Sequence, residues 1–126
     1  MGHKGVFCLA AAAVLCAAFS AAAQGRENCF RLSQVQSTRP DGDKRIYVRA
    51  NVNDYYRIDL AHRCSTLTDP ISHLVIVPTA GMDLLCGPLD FELSAADEGV
   101  REPCFVKSIT KLSPSEAAAI PKKAKP

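Results

Sequence analysis

Six cysteines and three histidines are the side chains here best suited to ligate a metal, carry electrons or attack a substrate. The cysteines are Cys8, Cys16, Cys29, Cys64, Cys86 and Cys104; the histidines are His3, His62 and His73. Two cysteines share a context. ENCFRLS begins at Glu27 and EPCFVKS at Glu102, each with Glu, one residue, Cys, Phe, and a Ser four after the Cys. Such a pair can serve a metal site, a redox couple or a covalent staple. Zinc would draw on His62, Cys64, His73 and Cys86, but structural zinc sites use short C-x-x-C or H-x-x-x-H spacings, which the chain lacks. A thioredoxin-like couple needs C-x-x-C as well. The staple is the reading that survives.

Nucleophilic chemistry fares no better. Asp59 and Ser65 flank His62 in sequence, which supplies the residue types of a triad without its geometry. No G-x-S-x-G, glycine-rich phosphate loop or paired-carboxylate motif is present. Asp90 and Glu92 alternate along one strand and read as a solvated face. The sequence therefore offers no catalytic residue and implies no cofactor or metal. A metalloprotein or hydrolase centred on His62 stands as an alternative.

One group of residues suits recognition. Tyr47, Arg49, Tyr55, Arg57 and Asp59 fall on one face of an expected hairpin. Aromatic rings beside guanidiniums suit an anionic or sugar-like ligand, or a partner protein. This candidate ligand-binding face gives a second alternative, a ligand-binding or inhibitor-like protein.

Where such chemistry would operate follows from the first residues. Lys4, the apolar run from Val6 to Phe19, and the small residues Ala21-Ala22-Ala23 make a three-part secretory signal peptide over residues 1–23. Alanine dominates the run, so cleavage is expected rather than retention as an anchor, with no stable membrane span afterwards. Cleavage removes Cys8 and Cys16 and leaves four cysteines. An even count in a small exported domain reads as a disulfide framework. Removing Lys4 leaves a net charge of +1, too little to attract nucleic acid.

Period-two alternation dominates the mature chain. Asn28–Ser37 reads as a first strand, followed by a turn in RPDGDKR. Ile46, Val48 and Ala50, then Tyr56, Ile58 and Leu60, mark the apolar faces of two strands joined at the polar VND. Matching those faces favours Val48 opposite Ile58 and Ile46 opposite Leu60, with Arg49 opposite Arg57, Tyr47 opposite Asp59 and Asn51 opposite Tyr55. HLVIVP reads as a short buried strand. In LLCGPLDFEL, Leu89, Phe91 and Leu93 alternate with Asp90 and Glu92. SAADEGVRE reads as a loop and Cys104–Leu112 as the last strand. Ser113, Pro114 and Glu116 announce a capped helix that Pro121 ends after about two turns. With Ile120 as its only large apolar side chain, that helix must dock to be stable.

The expected fold is all-β: a small barrel or rolled antiparallel sheet of about six short strands, with a short C-terminal helix. Residues 24–121 form a single disulfide-stapled domain and residues 122–126 a basic flexible tail. Four cysteines allow three pairings. The matched surroundings favour Cys29 with Cys104, bridging first and last strands as barrel closure would require, and leave Cys64 with Cys86. On a chain-entropy basis these would contribute about 4.5 and about 3.4 kcal/mol.

Read in order, Cys29-Phe30, YYRIDLAHRC, DPISHLVIV, LLCGPLDFEL and EPCFVKSITKLSPSE resemble a family of small exported bacterial proteins classed as a domain of unknown function. The resemblance spans Asn28 to Pro121. It implies a periplasmic or secreted location and a β-rich domain, and carries no activity with it. Taken together, the residues point to a non-enzymatic binding or envelope-associated module. Its partner would be an envelope protein or a small molecule, with no nucleic acid expected.

Overall fold

The computed structural model describes residues 27–126 and, apart from them, only Gly2. The expected signal peptide, residues 1–23 with Cys8 and Cys16, lies outside the described residues. Alternating apolar and polar residues make the described chain all-β, as expected. Its strands are β1 (Phe30–Arg31), β2 (Val35–Pro40), β3 (Arg45–Ala50), β4 (Asp54–Leu60), β5 (His73–Pro78), β6 (Leu84–Leu85), β7 (Phe91–Asp97), β8 (Val100–Cys104) and β9 (Val106–Lys111), with one short helix, α1 (Pro114–Ala118). They form three antiparallel sheets, β1-β6, β2-β3-β4-β9 and β5-β7-β8. Of the two expected forms, a small barrel or a rolled antiparallel sheet, no closed barrel is found among the described residues.

The strands outnumber the expected six for local reasons. A 3-10 turn at Leu32–Gln34 divides the first expected strand into β1 and β2. SAADEGVRE is no loop: Asp97 pairs with Val100, and Gly99 takes the positive φ of 89° that lets β7 turn directly into β8. The last expected strand breaks at Phe105, where the chain leaves β8 for β9 and changes sheets. HLVIVP, expected as a buried strand, is β5, a half-exposed edge.

In the β3–β4 hairpin the register differs from expectation by two residues. Ile46 faces Ile58, Tyr47 faces Arg57, Val48 faces Tyr56 and Arg49 faces Tyr55. Asn51 adopts φ 54°, a left-handed conformation that asparagine tolerates, so Ala50 pairs with Asp54 and only residues 51–53 form the loop. A two-residue slip keeps every side chain on its expected face. It also separates two arginines that the expected register set directly opposite each other, and gives each a tyrosine instead.

One apolar core is shared by all three sheets. Ile46, Val48 and Ile58 enter from β3 and β4, Leu93 and Ala95 from β7, and Phe30 and Leu85 from β1 and β6. The Phe30 ring lies 5.3 Å from that of Tyr56. Cys64 and Cys104 lie in this core, Cys29 and Cys86 adjoin its Phe30 and Leu85 in sequence, and the pairing of these described cysteines corrects the expected one. Cys29 joins Cys86, with Cα atoms 4.1 Å apart, and Cys64 joins Cys104, 5.4 Å apart. Strand pairing explains both. Phe30 opposite Leu85 makes Cys29 and Cys86 the next rung of the β1–β6 ladder. Leu60 pairs with Val106, and the Ala61 amide donates to the Phe105 carbonyl at 2.7 Å. The crossing from β8 to β9 therefore carries Cys104 to Cys64, just beyond β4. First and last strands are not neighbours: β1 pairs with β6 and β9 with β4. A side chain links the two regions, Asn28 Oδ1 accepting from the Lys111 amide at 2.9 Å.

Helix α1 begins as its sequence dictates. The Glu116 amide donates to Ser113 Oγ at 3.2 Å, the Ser113 amide donates to Glu116 Oε1 at 3.1 Å, and Pro114 opens the helix. Ile120 is buried, the docking that so short a helix requires. The expected flexible tail also packs. Lys122–Ala124 form a 3-10 turn, and Ala124 is fully buried.

Candidate functional site

The five residues of the expected recognition face do share one face of β3–β4, but it is not an open sheet surface. The C-terminal segment lies across it. Tyr47 is buried in a small second core with Leu112, Ala117, Ile120 and Ala124, and Tyr55 packs against its edge. The Lys125 ammonium sits 5.8 Å from the centre of the Tyr55 ring, and the Leu112 amide donates to the Tyr55 carbonyl at 2.8 Å. Two of the charged members, Arg57 and Asp59, are engaged with each other. Asp59 accepts from Arg57 Nε at 2.9 Å and from Arg45 Nε at 3.3 Å. Arg49 Nε is buried without a hydrogen-bond partner among the described residues. The chain thus uses this face chiefly to seat its own C terminus.

The residues considered for zinc are dispersed. Cys64 and Cys86 belong to different disulfides, so neither offers a thiolate. His62 is exposed with its ring edge-on to Phe105, centroids 6.1 Å apart, and His73 is exposed at the start of β5. Among the described residues no three His, Cys, Asp or Glu side chains are grouped to hold a metal.

Carboxylates near both disulfides tie down backbone instead. Asp90 Oδ2 accepts from the amides of Cys86 at 2.7 Å and Gly87 at 3.0 Å. Glu102 accepts from the Ser65 amide at 3.2 Å and the Thr66 amide at 2.7 Å, at the start of the 3-10 turn that follows Cys64. Asp83 accepts from the Ser33 amide and hydroxyl, both at 2.8 Å, linking the segments that carry β1 and β6. The hydrogen bonds from Thr66 hold Glu102 below the usual carboxylate range, and those from Ser33 do the same for Asp83. Asp97 is shifted the other way, raised by burial and by the neighbouring Asp69 carboxylate.

A more open feature lies at the β8 side of the three-stranded sheet. A groove of about 790 Å³ is lined by Leu89, Phe91, Leu93, Cys104, Phe105 and Val106, among others. Phe91, Leu93 and Cys104 are buried and face the core, whereas Glu92, Ser94, Arg101 and Pro103 lie on the other face of the β7–β8 sheet. Leu89, 87% exposed, and Phe105, 61% exposed, stand at its rim. Arg101 also lines it, donating from Nε to Ser94 Oγ at 2.9 Å and making no ion pair among the described residues. Glu92 lines the same groove and is exposed. Both rim residues are where the chain must turn. Leu89 was expected on the apolar face of a strand, but the strand begins only at Phe91, because Asp90 closes the Cys86–Asp90 turn beneath it. The Gly87-Pro88 pair is the sequence signal for that turn. Phe105 sits at the crossing between sheets, two residues after Pro103.

Compared with family models, with curated proteins and with solved structures, the chain finds no match in any of the three.

Proposed function

We propose that the chain is an exported, non-catalytic binding module of the periplasm or cell exterior, taking an amphipathic ligand with an apolar body and an anionic head in the groove between Leu89 and Phe105. The groove carries this reading. Two large apolar side chains are held in water at the rim of a concavity that few polar groups line, the arrangement expected of a ligand site. Arg101, without an ion pair among the described residues, is the cation for the head, while the exposed Leu89 and Phe105 meet the apolar body. Two disulfides support an oxidising compartment, where such bonds persist. The signal-like first 23 residues and the resemblance to small exported bacterial four-cysteine proteins point the same way.

Titration calorimetry with dodecanoate, and with dodecanol as the uncharged control, tests the site. Dodecanoate is expected to bind the more tightly. Phe105→Ala is expected to weaken it about tenfold or more, from the loss of roughly 1.5–3 kcal/mol of apolar burial. Arg101→Ala is expected to abolish the preference for the carboxylate. No binding of either probe, or binding unchanged in both variants, would remove the proposal.

A further inference from the structure

Every sheet edge in the described chain but one is two residues long or carries a charged side chain within it. Strand β2 has a bulge between Val35 and Ser37 and ends in Arg39 and Pro40. Strand β9 carries Lys107 and Lys111, and its Lys111 amide is taken by Asn28. Strand β8 carries Arg101, Glu102 and Pro103. Strands β1 and β6 are two residues long. These are the measures by which natural sheets keep edges from pairing: bulges, charges, prolines and short length.

Strand β5 has no bulge, is six residues long and shares only a terminal proline with β2. Its sequence is HLVIVP, with no Asp, Glu, Lys or Arg, and its only proline is the last residue. It pairs with β7 through six unbroken steps, from His73 opposite Ala96 to Pro78 opposite Phe91. Its other edge has no backbone partner among the described residues. Exposed apolar side chains flank it: Ile71 just before, Val77 within, and Met82 just after.

We infer that β5 is a self-association edge, pairing antiparallel with β5 of a second copy of this chain across a two-fold axis. Strand symmetry favours a second copy over an unrelated strand. Leu74 and Ile76 pack on the core while Val77 faces water, so a continuous sheet must match like faces. A two-fold centred on Val75 does this. It sets Leu74 opposite Ile76 of the second copy and His73 opposite Val77, and leaves Pro78 beyond the ladder. No two acidic or two basic side chains then oppose each other, which self-pairing of β8 or β9 would not ensure. Such an interface is isologous and closes at two copies. The groove lies on the β8 side of the sheet, so both grooves would stay open at the outer ends of a six-stranded sheet.

Sedimentation equilibrium of the full mature chain, from micromolar to millimolar concentration, combined with hydrogen exchange at both extremes, tests this. The expected result is a reversible shift toward twice the monomer mass, with exchange slowing in residues 73–78 as dimer forms. Val75→Lys puts two cations face to face on the axis and is expected to abolish both effects. Val77→Lys, at a position already exposed, serves as the second variant should the first disturb folding. A monomer mass throughout would overturn the inference. So would a dimer that survives both variants with no slowing of exchange in β5.

Discussion

The repeated Glu-x-Cys-Phe pattern shows how equivalent residues acquire different work. Glu102 binds the amides of Ser65 and Thr66 beside the Cys64–Cys104 bridge. At the other copy it is the neighbour of the glutamate, Asn28, that makes the structural bond, to Lys111. Cys29 is assisted from across the ladder, where Asp90 holds the amide of its partner Cys86. Backbone amides donate to these carboxylates only in the fold, which makes stability depend on pH. Glu102, Asp83 and Glu116 are all held below their ordinary values of 4.5, 3.8 and 4.5. For each, the stabilisation is complete above the ordinary value and is lost as pH falls through the lower folded value. Asp97 has the opposite sign, its penalty relieved by protonation. The thermal midpoint is therefore expected to fall between pH 6 and about pH 3. Glu102→Gln, which keeps the shape but not the charge, is expected to lower the midpoint at pH 6 and to flatten the acid slope. A slope identical in the variant would remove Glu102 from this account.

At the scale of elements, the C-terminal segment is the clearest case of an element stabilised from outside itself. Five helical residues in α1 are too few to persist in water, even with a full capping box. Ile120 and Ala124, packed on Tyr47, supply what is missing. Ile120→Ala is expected to cost about 2–3 kcal/mol in urea unfolding, the lower part of the range for an isoleucine truncation because the cluster is small. Tyr47 should then become more accessible to acrylamide quenching. The β3–β4 hairpin should remain folded, since its other face belongs to the main core. Full loss of structure in this variant would show that the segment is integral to the domain rather than seated on it.

For the whole molecule, one disulfide clips the two strands of a single sheet and the other joins two sheets, and neither ties the chain ends together. Cys29–Cys86 clips β1 to β6, and Cys64–Cys104 joins the end of β4 to the crossing between the other two sheets. They close sequence separations of 57 and 40 residues, which on the chain-entropy account contribute about 4.2 and about 3.9 kcal/mol. Proteolytic mapping of the oxidised protein is expected to recover peptides linking Cys29 with Cys86 and Cys64 with Cys104. Replacing Cys64 and Cys104 together by alanine is expected to lower stability by about 2–5 kcal/mol. Recovery of a Cys29–Cys104 peptide from freshly purified protein would contradict the strand pairing described above.

Period-two alternation made the all-β class legible from the residues alone, as it did the faces of β3 and β4 and the cap at Ser113, because each depends on neighbours in the chain. The five residues expected to form a recognition face were placed on one face for the same reason. That the C terminus would cover this face was not legible, since burial of Tyr47 depends on residues some seventy positions away in sequence, at Ala117 and beyond. Disulfide pairing lay equally out of reach. Similar local contexts drew Cys29 toward Cys104, but a bridge follows the strand neighbours that the fold creates, and β1 found β6. The groove at Leu89 and Phe105 arises where a turn and a sheet crossing come together, so only the tertiary structure could reveal it. Local sequence decided which way side chains point, and long-range packing decided what they meet.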